Sequence, residues 1–403
     1  MKKVLFICVT MLLICISGKA TERNLLLIPY PQQVSIKQGN YNLTDNVKIG
    51  ADPLFTQELK KLQEVLTEDF GLKSQIVKPS KADISLCYDA SFMQEEKEAY
   101  QLEVTDMKIT IRAQMATGIF YGIQSLRQLI KSEAGKWIIP KLTITDYPAL
   151  SWRSFMLDEG RYFKGEKVVK QILDEMALLK MNVFQWHLTD DQGWRIEIKR
   201  YPFLTEKGAW RDSTAINHPS SFSQPVFEKK RYGGYYTQEQ IREVVAYAAE
   251  HHVTIVPEID IPGHMLAALT AYPSLGCIQK GYQVGTQWGI YSDVLCAGNA
   301  ACYTFLKDVM QEVIELFPGP YIHIGGDECP NERWKSCEKC QSWMRKNHIS
   351  DEYALQSYVI EYVGKYLKKH HKRLIGWDEI LEGGIGREAV IMSWRGVKGG
   401  ITA

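Results

Sequence analysis

From Tyr147 onward the chain repeats one pattern six times: a short, almost wholly apolar run, followed by a helical periodicity or a long insertion. The runs are 154–158, 182–188, 253–260, 321–325, 374–377 and 389–394. Helical spacing is clear over 165–180, 238–251, 300–317 and 351–370, and Thr237 with Gln240 three residues on forms a capping box for the second of these. Strands apolar along their whole length are buried on both faces, and their alternation with helices implies a parallel sheet covered by helices. Two closures fit, an open doubly wound sheet and a (β/α)8 barrel. The first run lacks a following glycine-rich phosphate loop, which counts against a nucleotide-binding open sheet.

In a barrel the chemistry sits at the carboxyl ends of the strands. Here those ends carry Asp158; Trp186, His187 and Asp190-Asp191; Glu258, Asp260 and His264; His323 and Asp327-Glu328; Trp377, Asp378 and Glu379; and Trp394-Arg395. Any one of these residues reads as a satisfied core polar group or a core aromatic. Six in register do not, because a buried acid without a partner costs several kcal/mol. Acids with tryptophans at a barrel mouth point to carbohydrate: indole faces stack on sugar rings and carboxylates drive glycosidic cleavage. The rival is a metal site on His187, Asp190 and His264, which leaves the tryptophans unexplained. Asp327-Glu328 is the sharpest feature. Neighbours on a strand point to opposite faces, so both carboxylates reach one site only if the backbone leaves strand geometry, and Gly325-Gly326 supplies that freedom. Two carboxylates so close repel, which raises one pKa and divides them into an acid and an anion.

The runs 182–195 (NVFQWHLTDDQGWR), 260–264 (DIPGH) and 323–328 (HIGGDE) resemble the β-N-acetylhexosaminidases of glycoside hydrolase family 20, as do 152–158 (WRSFMLD) with Arg161, and 118–126 (GIFYGIQSL) in the family's small accessory domain. The resemblance implies exo-acting, retaining hydrolysis of terminal N-acetylhexosamine in which the substrate's 2-acetamido oxygen is the nucleophile, an exception to the two-carboxylate scheme. It implies Glu328 as general acid/base, Asp327 as the residue orienting the acetamido group, Arg153 on the outer hydroxyls, Asp190 and His264 as a pair tuning the acid, and Trp377 and Trp394 as walls of the acetamido pocket. It implies no cofactor and no catalytic metal. A catalytically inactive glycan-binding protein of the same fold is the alternative.

The expected organisation is α/β: a signal peptide over 1–20, a small α+β domain over 21–146, and a (β/α)8 TIM-type barrel over 147–403 in which only about six strands can be counted. The family's residues after strands seven and eight have no counterparts here, so this chain alone is expected to be poorly soluble and weakly active. Lys2-Lys3, the apolar run 4–16 and the small residues Gly18 and Ala20 have the pattern of an export signal, so the protein is expected in the periplasm or outside the cell. The run is too short to span a bilayer, and Ile14 before Cys15 disfavours a lipid anchor. With 48 basic and 47 acidic side chains there is no basic excess to hold nucleic acid. Seven cysteines follow the leader. Cys337-x-x-Cys340 with Cys329 hints at zinc but lacks a second pair; a Cys277–Cys296 disulfide closing the long insertion is the preferred reading.

Overall fold

The structure, a computed structural model, describes residues 25–93, 96–217 and 224–403, so the export signal expected over 1–20 lies outside the described residues. The chain divides after Ala149 into two compact units.

The first unit carries one mixed sheet in the order β1-β8-β5-β6-β4-β2-β3, with β7 on β8. Its elements are β1 (Gln33–Asn42), β2 (Asn46–Ala51), α1 (Thr56–Glu68), β3 (Lys73–Ile76), β4 (Ile84–Tyr88), β5 (Tyr100–Val104), β6 (Ile109–Ala113), α2 (Ala116–Leu129), β7 (Lys131–Glu133) and β8 (Lys136–Asp146). Helix α2 buries Ile119, Ile123, Leu126 and Leu129, the stripe its spacing predicts. Strand β8 escapes a reading by pattern because Pro140 interrupts it. Pro140 faces Asn40, where the β1–β8 register shifts, the kind of irregularity that tolerates a missing N–H donor.

In the second unit six strands run parallel, each beside its predecessor in sequence: β9 (Ser154–Asp158), β10 (Val183–Asp190), β11 (Thr254–Ile259), β12 (Tyr321–His323), β13 (Arg373–Trp377) and β14 (Val390–Met392). A doubly wound sheet reverses its order at a switch point. This one never does, and its unbroken sequential order is the arc of a β/α barrel. Helices α3 (Glu166–Leu178), α4 (Gln238–Glu250), α5 (Ala300–Leu316) and α7 (Glu352–Lys369) follow the first four strands, with α6 (Glu338–Asn347) in the β12–α7 connection. A 3-10 turn (Asp378–Leu381) follows β13, and α8 (Val397–Thr402) follows β14. The Thr237–Gln240 capping box forms as expected, each side chain bonding the other's backbone N–H.

Alternation along the strands sorts the side chains into two environments. Phe184, Trp186, Leu188, Ile255, Ile259, Ile322 and Leu374 join the core shared with the helices. Val183, Val256 and Ile375 form a separate small cluster with Trp152, Tyr321, Val390 and Met392, on the opposite face of the sheet. Two residues further along that same face come Gln185, Glu258 and His323, with Trp377 on β13.

The long insertion between β11 and α5 does not carry the expected disulfide. All seven cysteines among the described residues are free thiols, Cys277 and Cys296 included. Cys296 lies instead within 3.8 Å of Cys337 and 3.7 Å of Cys340, sulfur to sulfur.

Candidate active site

At the end of β12 the ladder stops at His323 and the backbone turns left-handed: Gly325 has φ 62°, Gly326 φ 87° and Glu328 φ 42°. This is the departure from strand geometry that two adjacent inward carboxylates require. Gly325 is needed twice over, since a Cβ there would also sit 1.3 Å from Asp260 Oδ1. His264, itself at φ 52°, joins the pair: its Nε2 is 3.7 Å from Asp327 Oδ2 and 3.6 Å from Glu328 Oε2. Neither His264 Nε2 nor the buried Asp327 Oδ1 has a hydrogen-bond partner among the described residues. Burial, with Asp260 adding to it, pushes Asp327 up to about 8. His264 holds Glu328 below the usual carboxylate range. The pair does divide into an acid and an anion, but the proton sits on Asp327, and burial rather than mutual repulsion puts it there.

Behind this pair lies a buried charge network. His264 Nδ1 is 3.2 Å from Asp190 Oδ1 and 3.1 Å from Asp191 Oδ2, and Asp191 also accepts from the Leu266 N–H. Asp190 further meets Arg161 Nη1 at 2.8 Å and His187 Nε2 at 3.2 Å. Burial opposes charge on both partners, yet Asp190 stays well below its ordinary pKa because of His264 and Arg161, and His264 is raised well above its own because of Asp190. Deeper in, Glu258 sits at hydrogen-bonding distance from His323 Nδ1 (3.1 Å), Gln185 (2.6 Å) and the Trp377 indole N–H (2.9 Å). His187 Nε2 is 3.0 Å from Asp260. His187, Asp190 and His264, the residues of the rival metal reading, are thus engaged with one another and with neighbouring carboxylates.

The sequence expectation misplaces one residue. Arg153 precedes β9 and so lies at the amino end of the strand, where its guanidinium donates to the carbonyls of Lys180 and Leu150. The arginine at the carboxyl end is Arg161, bonded to Asp158 at 3.1 Å as well as to Asp190. The rule that barrel chemistry sits at carboxyl ends was enough to choose between them. Asp191 and Asp260, read in the sequence as acids at the strand ends but given no role there, belong to the same network. Of the tryptophans, Trp377 and Trp394 stand at the ends of β13 and β14, Trp377 edge-on to His323 and Trp394 54% exposed with its N–H on Glu379. Trp186 and Trp194 are packed in the helix-side core and offer no sugar platform.

The loops around the mouth meet at Arg195. This fully buried guanidinium donates to the carbonyls of Glu159, Gly160, Gln192, Ala209 and Gly234. Burial, helped by Arg211, lowers its pKa to about 10. The insertion after β11 closes one side: Gly285 N–H bonds the Asp191 carbonyl at 2.8 Å, and the Trp288 ring lies 5.5 Å from the Arg161 guanidinium.

Comparison with known proteins accounts for this arrangement. Residues 150–403 match "Glycosyl hydrolase family 20, catalytic domain" and residues 24–147 match "Glycosyl hydrolase family 20, domain 2". A β-hexosaminidase of Porphyromonas gingivalis is 40% identical over a 427-residue alignment that takes in 100% of this chain and 53% of the relative; one of Vibrio furnissii is 36% identical, covering 92% and 60%. The chain therefore spans between half and two thirds of the length of these curated relatives. Among solved structures, an exo β-N-acetylglucosaminidase of Vibrio harveyi in complex with N-acetylglucosamine superposes with a TM-score of 0.81 at 32% identity, over 93% of this chain and 58% of that one. The six sequential parallel strands, the paired carboxylates on a left-handed turn and both family matches agree: this chain belongs to glycosyl hydrolase family 20.

Proposed function

We propose that the protein removes terminal, non-reducing β-linked N-acetylhexosamine, GlcNAc or GalNAc, from glycans with retention of configuration, the substrate's own acetamido oxygen attacking the anomeric carbon to give an oxazolinium intermediate. The observation that carries this reading is the adjacent pair Asp327 and Glu328, one buried and one partly exposed, both facing His264. Asp327 accepts the acetamido N–H and steadies the developing positive charge. Glu328 protonates the leaving oxygen and then deprotonates water. Arg161 replaces Arg153 as the cation for the outer hydroxyls, and Trp377 and Trp394 flank the acetamido methyl. An N–H donated to Asp327 favours its anion, while an aglycone over Glu328 strips away water and favours its acid form. Substrate binding thus moves the proton from Asp327 to Glu328, where the chemistry needs it.

The test is cleavage of p-nitrophenyl N-acetyl-β-glucosaminide against the glucoside lacking the acetamido group, together with inhibition by a thiazoline mimic of the oxazolinium. Strong preference for the first substrate and tight thiazoline binding support substrate assistance. A sugar trapped covalently on a side chain refutes it. We also propose export to the periplasm or beyond, supported by Lys2-Lys3 and the apolar run 4–16. Cell fractionation with sequencing of the mature amino terminus checks it, and an intact Met1 on cytoplasmic protein refutes it.

A further inference from the structure

The geometry points to a structural Zn2+ site formed by the four thiolates of Cys277, Cys296, Cys337 and Cys340. Their sulfurs all lie within 4.8 Å of one another. The measured separations are 3.9 Å for Cys277–Cys340, 3.8 Å for Cys296–Cys337 and 3.7 Å for Cys296–Cys340. A tetrahedral zinc with Zn–S bonds of about 2.3 Å has edges of about 3.8 Å between its sulfurs. A disulfide brings two sulfurs to about 2.05 Å and gives each a single partner, whereas Cys296 has two at nearly equal distance. An all-sulfur tetrahedron suits a soft or borderline d10 ion and disfavours Mg2+ and Ca2+, which take oxygen ligands.

The second pair missing from the sequence is supplied by tertiary structure. Cys277 and Cys296 stand at the two ends of the insertion, joined by the Gly276–Leu295 bridge and by the Cys296 N–H on the Leu275 carbonyl at 2.8 Å. Cys337 is the N-cap residue of α6 and Cys340 lies in its first turn, so both come from one end of that helix. The two halves approach backbone to backbone: a Cβ at Gly298 would fall 2.2 Å from the Lys339 carbonyl carbon and 2.4 Å from Cys340 N. Trp334 braces the junction, buried, with its indole N–H on the Leu295 carbonyl at 2.9 Å.

The site sits at the base of the loop whose tip walls the acid network. Between the two cysteines, Gly285 bonds the Asp191 carbonyl, Thr286 accepts from Ala215 N–H at 2.7 Å, and Gln287 accepts from Gln192 at 3.0 Å. This segment carries no helix or strand of its own between its ends, so the metal fixes the span that presents Trp288 to Arg161.

The test starts from the whole chain purified from zinc-supplemented medium. Elemental analysis is expected to give one zinc per chain, and X-ray absorption a shell of four sulfurs near 2.3 Å. Exchange to Co2+ is expected to produce thiolate-to-cobalt charge-transfer bands. Cys296→Ser with Cys340→Ser abolishes the bound equivalent, while Cys87→Ser, in the other unit, retains it. Removing the metal with a strong chelator speeds proteolysis within residues 278–295. Metal-free protein whose unreduced peptides are cross-linked among these four cysteines overturns the proposal. So does zinc retained by the double variant, or a first shell containing nitrogen or oxygen. Because the metal content and spectra are read on the unaltered chain, a variant that fails to fold leaves the test intact.

Discussion

Replacing Asp327 with Asn is expected to make the protein more stable and less active at the same time. In the folded chain burial raises this carboxyl from its ordinary 3.8 to about 8, and only 17% of the side chain is exposed. A raised carboxyl pKa means the folded state prefers the protonated form. Below about pH 4 both states are protonated and the group is neutral in its effect. As pH rises from 4 to 8 the unfolded chain ionises freely while the folded chain resists, so the folded state loses ground by about 1.4 kcal/mol per pH unit. At pH 7 that amounts to about 4 kcal/mol, an upper bound on what Asn recovers. Nine of the ten tryptophans lie beyond Ala149, so urea unfolding followed by tryptophan fluorescence reads the barrel unit. The midpoint of Asp327→Asn should exceed that of the parent at pH 7, and the gap should shrink toward zero near pH 4. A variant less stable than its parent at pH 7, or a gap indifferent to pH, would refute the assignment of the buried proton to Asp327.

Other outcomes follow from the same geometry. Glu328→Gln should lower turnover of substrates with poor leaving groups by about 10²–10⁴-fold; near-normal turnover removes Glu328 from the acid role. Arg161→Gln should raise KM by about 10–10²-fold, the loss of a charged hydrogen bond, whereas Arg153→Gln should lower thermal stability and leave KM unchanged. If the free protein stores its proton on Asp327 and delivers it to Glu328, kcat/KM should fall above about pH 8, and a profile flat to pH 9 would contradict the transfer.

The sequence makes the barrel legible because its strands are buried on both faces. Runs such as Leu374 to Trp377, apolar throughout, leave no other fate, and capping side chains at Thr237, Asn299 and Asp351 mark three of the helices between them. Strand ends are harder to read. Tyr321 to Gly325 looks like one strand, yet pairing stops at His323, because the backbone is surrendered there to aim Asp327 and Glu328. Arg153 and Arg161 flank the same five-residue strand, and composition does not separate them; only the direction of the strand does. The cysteine cluster was hidden for a different reason. Its ligands come from segments about 40 residues apart, brought together by a bridge and a close contact at Gly298, and nothing local in either segment announces the other.

Arg195 has a consequence for how the mouth of this barrel can vary. Among the described residues it donates to main-chain oxygens alone, those of Glu159, Gly160, Gln192, Ala209 and Gly234. A clamp that ignores side chains leaves the loops free to change what they display toward a glycan while keeping their paths. New specificities can be drafted at the rim without redrafting the frame, provided the guanidinium stays. Lysine would be a poor substitute: its three donors radiate from one point and cannot span five carbonyls, so a single conservative exchange would release several loops together.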